Sequence, residues 1–329
     1  MSVYKQWRMK ELRHAYSVQG WAMLIYYGIL NGAVMIVMMV DAFVQAFAMA
    51  ASGKELDVDA LTNSLIASSG WGYFIAIAVG LFVLLLWKKP RYLADPIWKK
   101  GEPMKIRSFF GILAILLSAQ LVAQGLYWLL ELMFNLGGFS IAQAMESAGG
   151  SMDSLSMFLY VGLGAPISEE LLFRGLVLRS MEPYGKKFAI LASALMFGLY
   201  HGNIIQIPFA FLVGLVLAYV TVEYNIGWAI LLHLINNLIL SDTLVRLISY
   251  LSQPWPDLIF WGLIVGCAVA ALIILLVKRK RIQGWFRRYQ DDPLCAKAFW
   301  GAPGIITLVS VIGAMTLIST LMMITPLGG

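Results

Sequence analysis

The feature that most constrains this chain is a series of long uncharged stretches. Leu258 to Val277 runs 20 residues without one Asp, Glu, Lys, Arg or His. A helix rises about 1.5 Å per residue, so about 20 apolar residues cross the ~30 Å hydrocarbon core of a bilayer. Eight further runs are read at roughly 20–51, 71–87, 109–135, 155–178, 188–202, 207–222, 226–240 and 304–324. With 60% hydrophobic and 13% charged residues, a soluble fold is excluded. The expected fold class is all-α, a polytopic transmembrane helix bundle of about 8–9 membrane helices. Residues 1–154 are expected to hold about three N-terminal membrane helices and their loops, 155–240 a four-helix core, and 241–329 the C-terminal membrane helices with a basic loop. The charged start, apolar stretch and small-residue Ala-Met-Ala-Ala end imitate a signal peptide, but the apolar part is far longer than an h-region, so an uncleaved helix is expected.

Charge sets an orientation, because cytoplasmic loops are enriched in Lys and Arg. With the N-terminus inside, 21 of the 24 basic residues fall on the inner side: four in the first segment, seven from Lys88 to Arg107, three from Arg179 to Lys187 and seven from Lys278 to Lys297. Lys54 and Arg246 are left outside and Arg174 lies within a span. This predicts a cytoplasmic N-terminus and an outer C-terminus. It also accounts for the net charge of +6 through topology and contact with anionic inner-leaflet lipid, so no nucleic-acid partner is expected. Cys267 and Cys295 support neither a disulfide framework nor a metal cluster. Gly28 and Gly32, Gly198 and Gly202, and Gly262 and Gly266 have the spacing that lets membrane helices approach closely, and packing is their expected role.

Ionisable groups inside these spans cost several kcal/mol unless they are paired or functional. The span 155–178 carries Glu169, Glu170 and Arg174. Glu170 and Arg174, four residues apart, share a helix face as an internal ion pair, whereas Glu169 is turned about 100° away. Two of the three histidines, His201 and His233, lie in other apolar spans, and Asn237 follows His233 on the same face. Asn236 is expected to lie off that face. Pro183 and Gly185 mark a turn from which Glu169 and His201 are equally distant; His233 lies about one helical turn nearer its own inner turn, a mismatch that tilt can absorb, so the polar groups can converge on the inner half of the bundle.

Glu-Glu-x-x-x-Arg at 169–174, Phe-x-x-x-His at 197–201 and His-x-x-x-Asn at 233–237, in this order on successive membrane helices, resemble the three motifs of the CPBP (CAAX protease and bacteriocin-processing, Abi) family. The resemblance covers about Leu155 to Leu240 and implies an intramembrane glutamic endopeptidase without a metal or other cofactor. It implies that Glu169 and His201 hold and activate a water, that His233 and Asn237 donate to the oxyanion, and that Glu170 and Arg174 support them. Pro166 is expected to kink its helix and admit water. The implied substrate is a membrane-associated or lipidated peptide or protein, cleaved near the cytoplasmic face of a membrane, with a bacterial cytoplasmic membrane the expected location. The competing readings are a binding or immunity protein of the same fold, a zinc protease using His201, His233 and Glu169, and a proton-coupled transporter.

Overall fold

The computed structural model describes residues 2–53, 55, 57–88, 98–149 and 152–327. Lys54, Lys89 and Arg91, which enter the charge count above, lie outside the described residues. Several helices begin where short polar side chains accept from exposed backbone N–H groups. α1 (Val3–Ala51) is capped by Ser2, and α2 (Val58–Lys88) opens with Asp57 accepting from Ala60 N at 2.9 Å. α3 (Ile106–Leu136) and the short α4 (Ala142–Gly149) follow.

Next comes α5 (residues 155–181), capped by Ser154. It alternates α-helical turns (Leu155–Leu159, Ala165–Glu169, Arg179–Met181) with π-helical ones (Tyr160–Gly164, Glu170–Leu178). A 3₁₀ turn, Glu182–Tyr184, leads into α6 (Lys186–Tyr200), and α7 (Gln206–Glu223) is capped by Asn203, whose Oδ1 accepts from Ile205 N and Gln206 N. α8 (residues 226–249) is capped by Asn225 and passes from α (Ile226–Ile235) through π (Asn236–Thr243) to α (Leu244–Ser249). α9 (Trp255–Val277), α10 (Arg279–Arg288), α11 (Cys295–Trp300) and α12 (Pro303–Met322) complete the chain. Among the described residues one small sheet pairs β1 (Phe139–Ser140) antiparallel with β2 (Thr325–Pro326).

Each of the nine apolar runs falls on a helix, but among the described residues only seven helices are long and apolar enough to span a membrane: α1, α2, α3, α5 with the turn after it, α7, α9 and α12. The expected all-α polytopic bundle is present, with seven such helices beside the expected count of about 8–9. α6 has 15 residues and rises about 22 Å, short of the ~30 Å core, and the apolar part of α8 is shorter still.

Large apolar side chains such as Met39, Phe43, Leu272 and Ile273 point outward, while Glu170, Arg174, Ser193 and Thr221 are wholly buried. A polar interior inside an apolar exterior is the arrangement a bilayer solvent favours. α5 packs against α6, α7 and α8, α6 against α7, and α7 against α8, closing a four-helix assembly. α1 lies against α2 and against α11 and α12 at the other end of the chain. At the α1–α12 crossing a Cβ on Gly20 would enter the Gly304 backbone, and the Gly304 N–H donates to Ser17 Oγ at 2.9 Å.

Close approach explains only part of the glycine pattern. A Cβ on Gly198 would meet Ile207 O at 2.9 Å, so α6 and α7 touch there. A Cβ on Gly28, Gly32, Gly262 or Gly266 would meet nothing within 4 Å among the described residues, so the expected close-packing role is corrected at these four positions. Gly202, with φ of 62°, takes the left-handed conformation that ends a helix, and so stops α6 directly after His201.

Candidate active site

Glu170 and Arg174 sit within one π-helical stretch of α5, both fully buried, with Arg174 Nη1 3.0 Å from Glu170 Oε1. Arg174 Nη2 also donates to Gly214 O of α7 at 3.2 Å, and the guanidinium lies 4.4 Å over the Phe197 ring. The same Glu170 Oε1 is 2.9 Å from His233 Nδ1 on α8. A carboxylate paired with Arg is an acceptor only, so Nδ1 must carry the proton and donate. In neutral His233 this leaves the lone pair on Nε2, which lies 3.7 Å from Glu169 Oε2. That gap is too long for a direct hydrogen bond but lets one water contact both atoms.

His201 is the C-cap of α6. Its Nδ1 is 2.9 Å from the Phe197 carbonyl, an obligate acceptor, so Nδ1 donates there and Nε2 again holds the lone pair. His201 and His233 both stand perpendicular to the Phe197 ring, at centroid distances of 4.9 and 5.7 Å. The structure therefore gathers Glu169, Glu170, Arg174 and His233 into direct contact and sets His201 against the same phenylalanine. It does not pair Glu169 with His201: the histidine beside Glu169 is His233, because α8 crosses α5 at the level of the two glutamates while the His201 ring is turned onto the carbonyl one turn back along α6.

Asn237 Nδ2 donates to the Val161 carbonyl at 3.0 Å, joining the π turn of α8 to the first π turn of α5, and its Oδ1 accepts from Asn236 Nδ2 at 3.1 Å. One Asn237 N–H remains for another partner. Asn236, assigned no place by helical periodicity, is 5% exposed with its Oδ1 buried and unbonded. The signal in the sequence was the Asn-Asn pair within an apolar run. α1 also reaches this region, with Tyr27 5.5 Å and Tyr26 6.2 Å in ring separation from Tyr200, the residue before His201.

π turns leave carbonyls outside the regular i to i+4 ladder and recur at functional sites. Here they bracket the polar cluster: one begins at Glu170, one at Asn236, and one ends two residues before Pro166. Pro166 lacks the N–H that an α turn would donate to residue 162, so the widened turn just before it has a local cause. Among the described residues no three His, Cys, Asp or Glu side chains are grouped to hold a metal ion.

The cluster offers a half-buried carboxylate, a buried imidazole fixed by a second carboxylate, and a half-buried amide, which is the equipment of acid–base hydrolysis. No curated protein and no solved structure matches the chain. Residues 151–239, which include every polar group of the cluster, match the family model described as type II CAAX prenyl endopeptidase Rce1-like. That segment, 89 of the 329 residues, is thus similar to the Rce1-like CAAX proteases.

Proposed function

We propose that the chain is an intramembrane endopeptidase that hydrolyses a peptide bond with a water activated by Glu169. The observation that carries the proposal is the 3.7 Å spacing of Glu169 Oε2 and His233 Nε2, with the far side of His233 bonded to the Arg174-paired Glu170. A water between these atoms loses a proton to Glu169 as its oxygen attacks the carbonyl carbon, and the carbonyl π electrons move onto oxygen. The oxyanion takes a hydrogen bond from the remaining Asn237 N–H, while the Nε2 lone pair of His233 holds the attacking water in place. His201, through Nε2, holds the water or the substrate amide. As the C–N bond breaks, the proton on Glu169 passes to the leaving amine. Glu170 fixes the His233 tautomer, the role a buried carboxylate plays beside other catalytic imidazoles, and Arg174 pairs with Glu170 and holds it in place.

The substrate class we propose is a membrane-associated or lipidated peptide or protein, cut near the cytoplasmic face, with the N-terminus of the enzyme inside and a bacterial cytoplasmic membrane as its setting. The basic segments Lys99–Arg107 and Lys278–Arg288 at one set of helix ends support that orientation. The test is purified Glu169→Ala and Glu169→Gln protein in proteoliposomes with a fluorogenic prenylated CAAX peptide, alongside a comparison of membrane peptidomes from cells carrying either form. Both variants should reach wild-type abundance and lose cleavage by at least about 10³-fold. Retained cleavage in either variant removes Glu169 from the reaction.

A further inference from the structure

A second polar feature lies apart from the glutamate cluster. Three helix ends meet around a cavity of about 740 Å³: the start of α3, the end of α7 and the basic α10 that follows α9. Its lining includes Lys99, Lys100, Lys105, Lys186, Arg281 and Arg288, against only two acids, Glu102 and Glu223. Lys99 is drawn off by Glu182 at 3.3 Å, and the Lys186 ammonium lies 4.3 Å over the Tyr289 ring. Lys100, Lys105, Arg281 and Arg288 form no ion pair among the described residues. Four uncompensated cations around one cavity repel one another, and an anion relieves that repulsion.

The cavity wall is built rather than incidental. Gly101 N donates to Tyr224 O and Glu102 N to Glu223 O, the latter at 2.8 Å, and a Cβ at Gly101 would collide with both of those residues' backbones. The approach therefore needs glycine and locks the basic segment onto the end of α7.

Depth identifies the anion. Lys105 immediately precedes α3, Glu223 closes α7, and Arg281 lies four residues beyond the end of α9. All three helices are apolar enough to span a bilayer, so the cavity sits at the level where hydrocarbon gives way to headgroups. α10 carries exposed Phe286 beside Trp285, with Arg287 and Arg288 following, the composition of a helix lying in the interface plane. Basic pockets between spanning helices at that level suit lipid phosphate. We infer that this cavity is a binding site for the phosphate headgroup of an anionic phospholipid. Through Lys99, its lining is also joined to Glu182, which pairs with Arg179 at 2.7 Å at the end of the helix bearing the two glutamates.

The test is native mass spectrometry of the detergent-purified full chain titrated with phosphatidylglycerol or phosphatidylcholine. The wild type should retain phosphatidylglycerol about tenfold more strongly, and Arg281→Glu/Arg288→Glu should abolish the preference. Arg281→Ala/Arg288→Ala serves if the reversal impairs folding. Lys278→Glu/Lys280→Glu, which reverses two charges of the same basic stretch outside the cavity, should keep the preference. Equal loss in that control pair, or no preference in the wild type, would overturn the assignment. So would retention of inorganic phosphate at the same residues with no retained phosphatidylglycerol, which would make the natural ligand a soluble phosphate.

Discussion

Replacing Arg174 by Met tests the physical basis of the polar cluster. At 3.0 Å and an effective dielectric of about 20, two unit charges attract by about 5.5 kcal/mol, most of it offset in the wild type by the cost of burying both. Methionine fills similar volume but leaves Glu170 wholly buried, its Oε2 already without a hydrogen bond, and its charge answered only by the His233 N–H. Removing one partner of such a pair costs about 3–5 kcal/mol, or about two to three and a half decades in the folding equilibrium. The variant also loses the bond to Gly214 O and the contact with Phe197, against which both histidines rest. Equilibrium unfolding in mixed micelles, followed by tryptophan fluorescence, reads the loss directly. Glu170→Gln/Arg174→Met removes both charges while the introduced amide oxygen still accepts from His233, so the double variant should recover all but about 1 kcal/mol. A cost below about 1 kcal/mol for Arg174→Met, or a double variant no more stable than the single, refutes the reasoning.

Gly198→Ala, aimed at the backbone of Ile207, should cost about 1–3 kcal/mol in the same assay, whereas Gly262→Ala, facing open space, should leave stability equal or higher. Burial acts to raise the Asp292 carboxyl but is outweighed by hydrogen bonds from Arg8 and the Leu294 N–H, which hold it below the usual carboxylate range. The stability it contributes is therefore present above the unfolded value near ~3.9 and lost as pH falls through the lower folded value. Asp292→Asn should thus lower the unfolding temperature at neutral pH, and its gap to the wild type should close below about pH 4. Cleavage should survive 1,10-phenanthroline and EDTA, since among the described residues no three His, Cys, Asp or Glu side chains are grouped to hold a metal ion; loss of activity restored by zinc would point instead to a metal reaction.

The helices were legible because each apolar run is long and bounded by charge or by a capping residue such as Asn225. The pairing of Glu170 with Arg174 was legible because four residues is a local distance on any helix. The contact of His233 with Glu170 joins residues 63 apart, and no local spacing encodes which of two histidines swings toward which of two acids. The π turns were hidden for a different reason: they change hydrogen-bond register without changing the hydrophobic pattern, so uniform 3.6-residue turns misplaced Asn236. The first helix was read by its apolar part alone, although its polar start continues the same helix from Val3 and ties Arg8 to Asp292 at 2.8 Å.

The widened turns carry a lesson for anyone rebuilding this scaffold. An idealised bundle with regular winding throughout would satisfy the Val161 carbonyl within its own helix and so take from Asn237 the acceptor that now anchors it. Such a redesign would gain regularity and lose the clasp between the first and last helices of the core, so the irregular winding is a specification to copy and not a flaw to repair.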